Sequence, residues 1–192
     1  MRLFIALILP EKIKKILAQA QAELRQGVTQ GAVKWVEPEN FHQTIIFLGR
    51  VDNNRVEDVK QVLAKLRLKP IALSLKKVGF FPDQARPRVI WIGLKGELEK
   101  LSACFHQLRL ALRRANFDFD TRFSPHITLG RVRFGRGRVV FDQRALEKVN
   151  QILKTNDSSF VADRVVLFES KLTPKGPIYT PIVEVKLEDN SV

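Results

Sequence analysis

The chain carries one four-residue pattern twice, as His42-Gln43-Thr44-Ile45 and as His126-Ile127-Thr128-Leu129. Each reads His-x-Thr-apolar, and the two lie 84 residues apart. The sequence holds only three histidines, so two of the three occupy the same motif. Each tetrad sits in an apolar run, Phe41 to Leu48 and His126 to Val132, which predicts a strand. Residues i and i+2 of a strand face the same way, ~6.6 Å apart. His42 then shares a face with Thr44, and His126 with Thr128. If the two strands lie side by side, two imidazoles and two hydroxyls line one cleft.

Patterning around the tetrads supports a duplicated plan. Leu3 to Leu9 is a continuous apolar strand suited to the middle of a covered sheet. A signal peptide is the competing reading, but Pro10 and Lys12, Lys14 and Lys15 interrupt the run before any small-residue site. Ile13, Ile16, Leu17, Ala20 and Leu24 then recur at helical spacing, and Gly27 closes the segment. Val33 to Val36 is extended, and the first tetrad strand follows. Asp52 or Asn53 is the expected cap of a second helix bearing Val56, Val59, Val62, Leu63 and Leu66. Strands are expected from Ile71 towards Phe81 and over Arg88 to Leu94, with a loop at 82–87. The second half repeats this order. A long helix carries Leu98, Leu101, Phe105, Leu108 and Leu112, and a short strand is expected at Phe117 to Asp120. The second tetrad strand is followed by a basic loop, Gly135-Arg136-Gly137-Arg138, and a helix over Gln143 to Leu153. Two final strands are expected, Phe160 to Leu172 and Ile178 to Leu187, joined through 174–177. No low-complexity linker separates the halves. The expected fold is α+β: residues 1–192 as a single domain of two interlocked lobes related by a pseudo-two-fold. Antiparallel sheets line a central cleft, with helices outside.

Charge narrows the partner. A net +13 on 192 residues favours a polyanion, most simply nucleic acid. No run approaches the ~18 apolar residues of a membrane span. The lone Cys104 excludes an intrachain disulfide and is expected to be buried and inert in a reducing cytoplasm.

Two imidazoles across one centre suit concerted acid–base chemistry, since near neutral pH one ring can be protonated while the other is not. A phosphodiester matches this need: one ring activates the nucleophile, the other protonates the leaving oxygen, and hydroxyls or cations steady the remaining oxygens. Thr44 and Thr128 are placed for that task. Arg131 is a conditional member. Strict alternation puts it on the face opposite His126, so a bend near Gly130 is required. A metal site is not expected, because the third histidine, His106, falls on the helix at 97–116 and the tetrads contain no Cys, Asp or Glu. A serine hydrolase is disfavoured too: Ser124 is near His126, but no nucleophile elbow is present.

These residues resemble the two-histidine phosphoesterase superfamily, specifically the LigT-like RNA 2′,3′-cyclic phosphodiesterases, also called 2′-5′ RNA ligases. The resemblance runs from Met1-Arg2-Leu3-Phe4-Ile5-Ala6 and the stretch from Trp35 to Thr44, through Phe47-Leu48-Gly49, Phe81-Pro82 and Pro87 to Trp91. It continues through Phe123 to Arg131 and Leu167 to Ser170. It implies metal-independent, cofactor-free opening of a terminal 2′,3′-cyclic phosphate of RNA to a 2′-phosphate. Nothing in the sequence itself demands more than a monomer or an obligatory protein partner. By that resemblance His42 is the proton donor to the leaving 3′-oxygen and His126 the acceptor that activates water. The geometry of the motifs does not order these roles. Thr44 and Thr128 would hold phosphate oxygens. Gly130 departs from relatives, which often carry alanine there, and is expected to ease a bend before Arg131. Alternatives are ligation of RNA ends, such as tRNA halves, through a 2′-5′ bond, a non-catalytic RNA-binding module, and a cyclic phosphate derived from ADP-ribose. Phe41, Phe81 and Tyr179 are candidates to stack a terminal base.

Overall fold

The structure, a computed structural model, describes residues 1–133, 139–174 and 176–188. The basic segment at 135–138 lies outside the described residues, as does Lys175. The elements follow the sequence reading closely. They run β1 (Arg2–Ile8), α1 (Glu11–Gln26), β2 (Val33–Trp35), β3 (His42–Arg50), α2 (Val56–Ala64), β4 (Ile71–Phe81) and β5 (Val89–Gly96). Then come α3 (Leu98–Arg114), β6 (His126–Val132), α4 (Gln143–Thr155), β7 (Ser159–Ala162), β8 (Arg164–Leu172) and β9 (Pro177–Lys186).

Burial explains the helices. The expected stripe of α1 is its buried face, and Leu101, Cys104, Phe105, Leu108 and Leu112 are that of α3. Asp142 caps α4 by accepting the Arg144 N–H at 3.0 Å. Neither Asp52 nor Asn53 caps α2 with its side chain. A 3₁₀ turn at Asn53–Arg55 leads in instead, and the Arg55 N–H bonds the Asp52 carbonyl at 2.9 Å. Asn116, just past the end of α3, has φ 56°, a conformation asparagine tolerates.

All strand pairings are antiparallel, and the main path is β7-β4-β5-β6-β3-β1-β8-β9, with β2 on β6. A pseudo-two-fold between β6 and β3 exchanges β5 with β1, β4 with β8 and β7 with β9. The helices obey it: α1 packs on α4 and α2 on α3. The two halves therefore join as one curled sheet: among the described residues β3 meets β6 through one bridging pair, Gln43 and Ile127, and β2 of the first half adds three pairs to β6.

Two strand expectations are corrected as well. The strand expected over Phe160 to Leu172 is two strands, β7 and β8, that pair on opposite sides of the dyad. Asp163 alone joins them, and its carbonyl accepts the Leu187 N–H at 2.7 Å. Six strand spacings, roughly 29 Å, would separate β7 from β8 in a flat sheet. Ala162 and Arg164 are only two residues apart, about 7 Å of chain. The sheet must curl for both to hold. Phe117 to Asp120 forms no ladder. Its alternation instead buries Phe117 and Phe119 beneath Arg55 and Arg113, at 4.2 and 5.4 Å from the two ring centroids.

Candidate active site

The Gln43–Ile127 bridge positions the tetrads. Both bridging side chains are buried, at 1% and 0% exposure, and point away from the cleft. Their neighbours on each strand must therefore face it: His42 and Thr44 from β3, His126 and Thr128 from β6. Antiparallel register sets His42 towards Thr128 and Thr44 towards His126. The condition posed by the sequence, two strands side by side, is met.

Each histidine is held by the carbonyl two residues before it. His42 Nδ1 lies 2.7 Å from the Asn40 carbonyl oxygen, and His126 Nδ1 lies 2.6 Å from that of Ser124. A carbonyl can only accept, so Nδ1 carries the proton in both neutral rings. Nε2 is then the basic nitrogen facing the cleft. His42 Nε2 meets Thr44 Oγ1 at 2.9 Å, where the hydroxyl donates to the neutral ring. Aromatic walls surround the pair. Phe4 and Tyr179 pack on His42 at 4.9 and 5.4 Å, and Phe81 meets His126 edge-on at 5.1 Å with Trp91 behind it. Burial is the main cause that lowers the His42 pKa, to about 4. The Asn40 bond opposes it, and the charges of His126 and Arg131 add to it. The His126 pKa is also lowered, mainly by burial and further by Arg131, against the Ser124 bond.

Arg131 joins the site through a β-bulge. On β5, Trp91 pairs with Thr128 and Val89 with Arg131, while Ile90 pairs with Gly130. Trp91 and Val89 are two apart on an unbroken strand and face the same way, so Thr128 and Arg131 do as well. Leu129 is the extra residue that shifts the phase. The first tetrad repeats the device. Ala6 pairs with Thr44 and Phe4 with Phe47, with Ile45 the extra residue in between. Phe47 thus occupies the position on β3 that Arg131 holds on β6, and it is 43% exposed on the cleft face. The fourth, apolar residue of each tetrad is the bulge itself.

A cavity of about 190 Å³ opens on this face. Its lining includes Phe4, Lys34, His42, Thr44, Phe47, Thr128, Arg131 and Tyr179. His126 is not among the lining residues and stands across the bridge, close enough for its charge to act on His42. Of the aromatics considered for base stacking, Tyr179 lines this cavity, Phe81 walls His126, and Phe41 is excluded by burial in the core at 2% exposure. Gln21 escaped the sequence reading. It is buried on α1, and its Nε2 donates to the carbonyls of Val36 at 2.7 Å and Leu129 at 2.9 Å, which fixes the bulge. A polar residue inside the apolar stripe of α1 was the available signal.

Gly130 does not serve as the bend. A Cβ there would lie 2.7 Å from Val33 Cγ1 and 2.9 Å from Trp35 Cε3, so its bareness makes room for two side chains of β2. Gly130→Ala should therefore overpack this chain by roughly 1–3 kcal/mol. The loss is read as a lower urea midpoint, and Val33→Ala in the same chain should recover part of it.

Among the described residues, no three His, Cys, Asp or Glu side chains cluster as a metal site would, and no helix is long and apolar enough to cross a membrane. Cys104 is fully buried, which pushes its thiol up to about 12.

A two-fold antiparallel sheet presenting paired His-x-Thr strands to one cleft marks a duplicated phosphoesterase fold. The model of the family described as LigT-like phosphoesterase matches residues 7–91 and again residues 92–179, once per half. The chain belongs to that family. It is 33% identical to a Methanocaldococcus jannaschii protein named RNA 2′,3′-cyclic phosphodiesterase, over 96% of this chain and 99% of the relative. An Archaeoglobus fulgidus protein of the same name is 35% identical, over 93% and 96%. Among solved structures, TT0787 of Thermus thermophilus superposes with a TM-score of 0.76 at 27% identity, over 97% and 98% of the two chains.

Proposed function

We propose that this chain hydrolyses the 2′,3′-cyclic phosphate at the end of an RNA to a 2′-phosphomonoester, residues 1–192 acting as one unit of two interlocked lobes. The reading rests on one observation above all: two imidazoles, each with Nδ1–H tied to a carbonyl, present Nε2 to the same cleft. Family relatives named for this activity support it, and the net +13 suits a polyanion. His126 Nε2 takes a proton from water as its oxygen attacks phosphorus. The bond from phosphorus to the 3′-oxygen breaks, and His42 Nε2–H protonates that oxygen. Thr44, Thr128 and Arg131 steady the non-bridging oxygens. His126 ends the cycle protonated and His42 neutral, and exchange with solvent restores both. The inert Cys104 fits a reducing cytoplasm.

The test is product analysis on an RNA ending in a 2′,3′-cyclic phosphate. A 2′-phosphate end is expected. A 3′-phosphate would reverse the bond assignment, and RNA binding without turnover from pH 4 to 9 would leave a binding module. By microscopic reversibility the same groups can join such an end to a 5′-hydroxyl, and a joined product would appear in the same assay.

The pH profile has a definite sign. His42 must carry its proton, so rate falls as pH rises; His126 must lack one, so rate falls as pH drops. The optimum of kcat/KM lies between the two free-enzyme values, above about 4 for His42 and below the ordinary 6.5 for the lowered His126. A bound phosphate anion favours both imidazolium forms, so the kcat profile should sit at higher pH. A kcat/KM optimum above pH 7 on a nucleoside 2′,3′-cyclic phosphate would contradict the assignment.

A further inference from the structure

Lys34 is not used by the chemistry above, yet it lines the same cavity. It pairs directly with Arg131 across β2 and β6. Directly opposed residues share a face, so both cations point into the cleft, while Val33 and Trp35 pack on the other side against Gly130. Like charges placed opposite each other on a sheet repel and cost stability. Among the described residues neither Lys34 nor Arg131 has an ion-pair partner that would offset them. Glu37, the only carboxylate on the cavity lining, forms no ion pair with either. The backbones that carry the pair are tied together, because Gln21 donates to the carbonyls of Val36, next to β2, and of Leu129, the bulge residue of β6. Two neighbouring cations on one cavity wall, with no ion-pair partner among the described residues, suit an anion. Arg131 lines the cavity with His42, and the proposed hydrolysis already gives its guanidinium to the reacting phosphate. Lys34 stands one strand further out.

Resting on the hydrolase reading, we infer that Lys34 binds a second phosphate, the one on the 5′ side of the terminal nucleotide. The preferred substrate is then an RNA chain rather than a lone nucleoside cyclic phosphate. Three substrates separate the cases: adenosine 2′,3′-cyclic phosphate, its 5′-phosphorylated form, and the dinucleotide ApA ending in the cyclic phosphate. The unaltered protein should favour the dinucleotide over the nucleoside by roughly tenfold in kcat/KM, the scale of one charge-assisted contact. Lys34→Met should erase that preference and leave nucleoside turnover within about twofold, while Lys34→Arg keeps it. The plot of log kcat/KM against log salt for the dinucleotide should flatten by ~0.7 in Lys34→Met, as expected for one lost phosphate contact on a single strand. A gain shared by the 5′-phosphorylated nucleoside means any 5′-phosphate satisfies the subsite. A gain limited to the dinucleotide means it needs the diester. Equal rates on all three substrates, or equal losses on all three in Lys34→Met, would overturn the inference while leaving the hydrolase reading intact. Absence of turnover on all three substrates by the unaltered protein would overturn both.

Discussion

Replacing His126 by alanine should lower kcat on an RNA 2′,3′-cyclic phosphate by ~10²–10⁴-fold, with KM little changed, because a proton transfer is lost and not a binding contact. His42→Ala should cost as much. The two substitutions together should cost far less than the product of the single losses, since the groups act as a unit on one transition state. The variants differ in their side effects. His42 packs against Phe4 and Tyr179, so its truncation empties space between two rings and should also lower stability. His126 is less enclosed and is the cleaner probe. Urea midpoints separate lost fold from lost chemistry. A folded His126→Ala protein retaining more than a tenth of the rate would remove the imidazole from the mechanism.

Arg131→Gln should reduce kcat/KM by about 10²–10³-fold, the usual cost of removing one donor from a developing oxyanion. A further signature distinguishes it from a misfolded variant. The positive charge of Arg131 lowers the pKa of both His42 and His126. Its removal lets both values rise, so the residual activity should peak at a higher pH than in the unaltered protein. Arg131→Lys should keep the pH optimum and recover part of the rate, because a point charge replaces a planar fork. An unshifted optimum in Arg131→Gln would mean that the guanidinium does not face the imidazoles.

Most of this frame was legible because it is written in local periodicity. The apolar stripes of α1 and α3, the covered β1 strand and the paired tetrads all follow from spacings of 3.6 or 2. What escaped involves contacts distant in sequence. Arg131 is the clearest case: alternation alone placed it on the wrong face, and a requirement for a bend was the furthest that reading could go. The phase change comes from Leu129, which looks like any apolar strand residue, and from its pairing with β5. Asp163 is similar, since an apolar run gives no sign that its two ends join opposite sides of one sheet. Gly130 was read as a source of freedom, whereas its work is steric and depends on Val33 and Trp35 nearly a hundred residues earlier. Lys34 and Gln21 gain meaning only once β2 lies on β6.

The twin bulges carry one more implication. A cleft with perfect two-fold symmetry would accept a cyclic phosphate in two equivalent poses, with donor and acceptor exchanged between them. Half of all encounters would then find the protons on the wrong rings. The bulges at Ile45 and Leu129 bring the next cleft-facing position of each strand to the same place, and there the repeats differ: Phe47 on one side, Arg131 on the other. An aromatic ring and a guanidinium cannot substitute for each other as seats for a nucleotide. Under the proposed reading, that difference, added to the one-sided Lys34, polarises the cleft and tells the substrate which way round to lie.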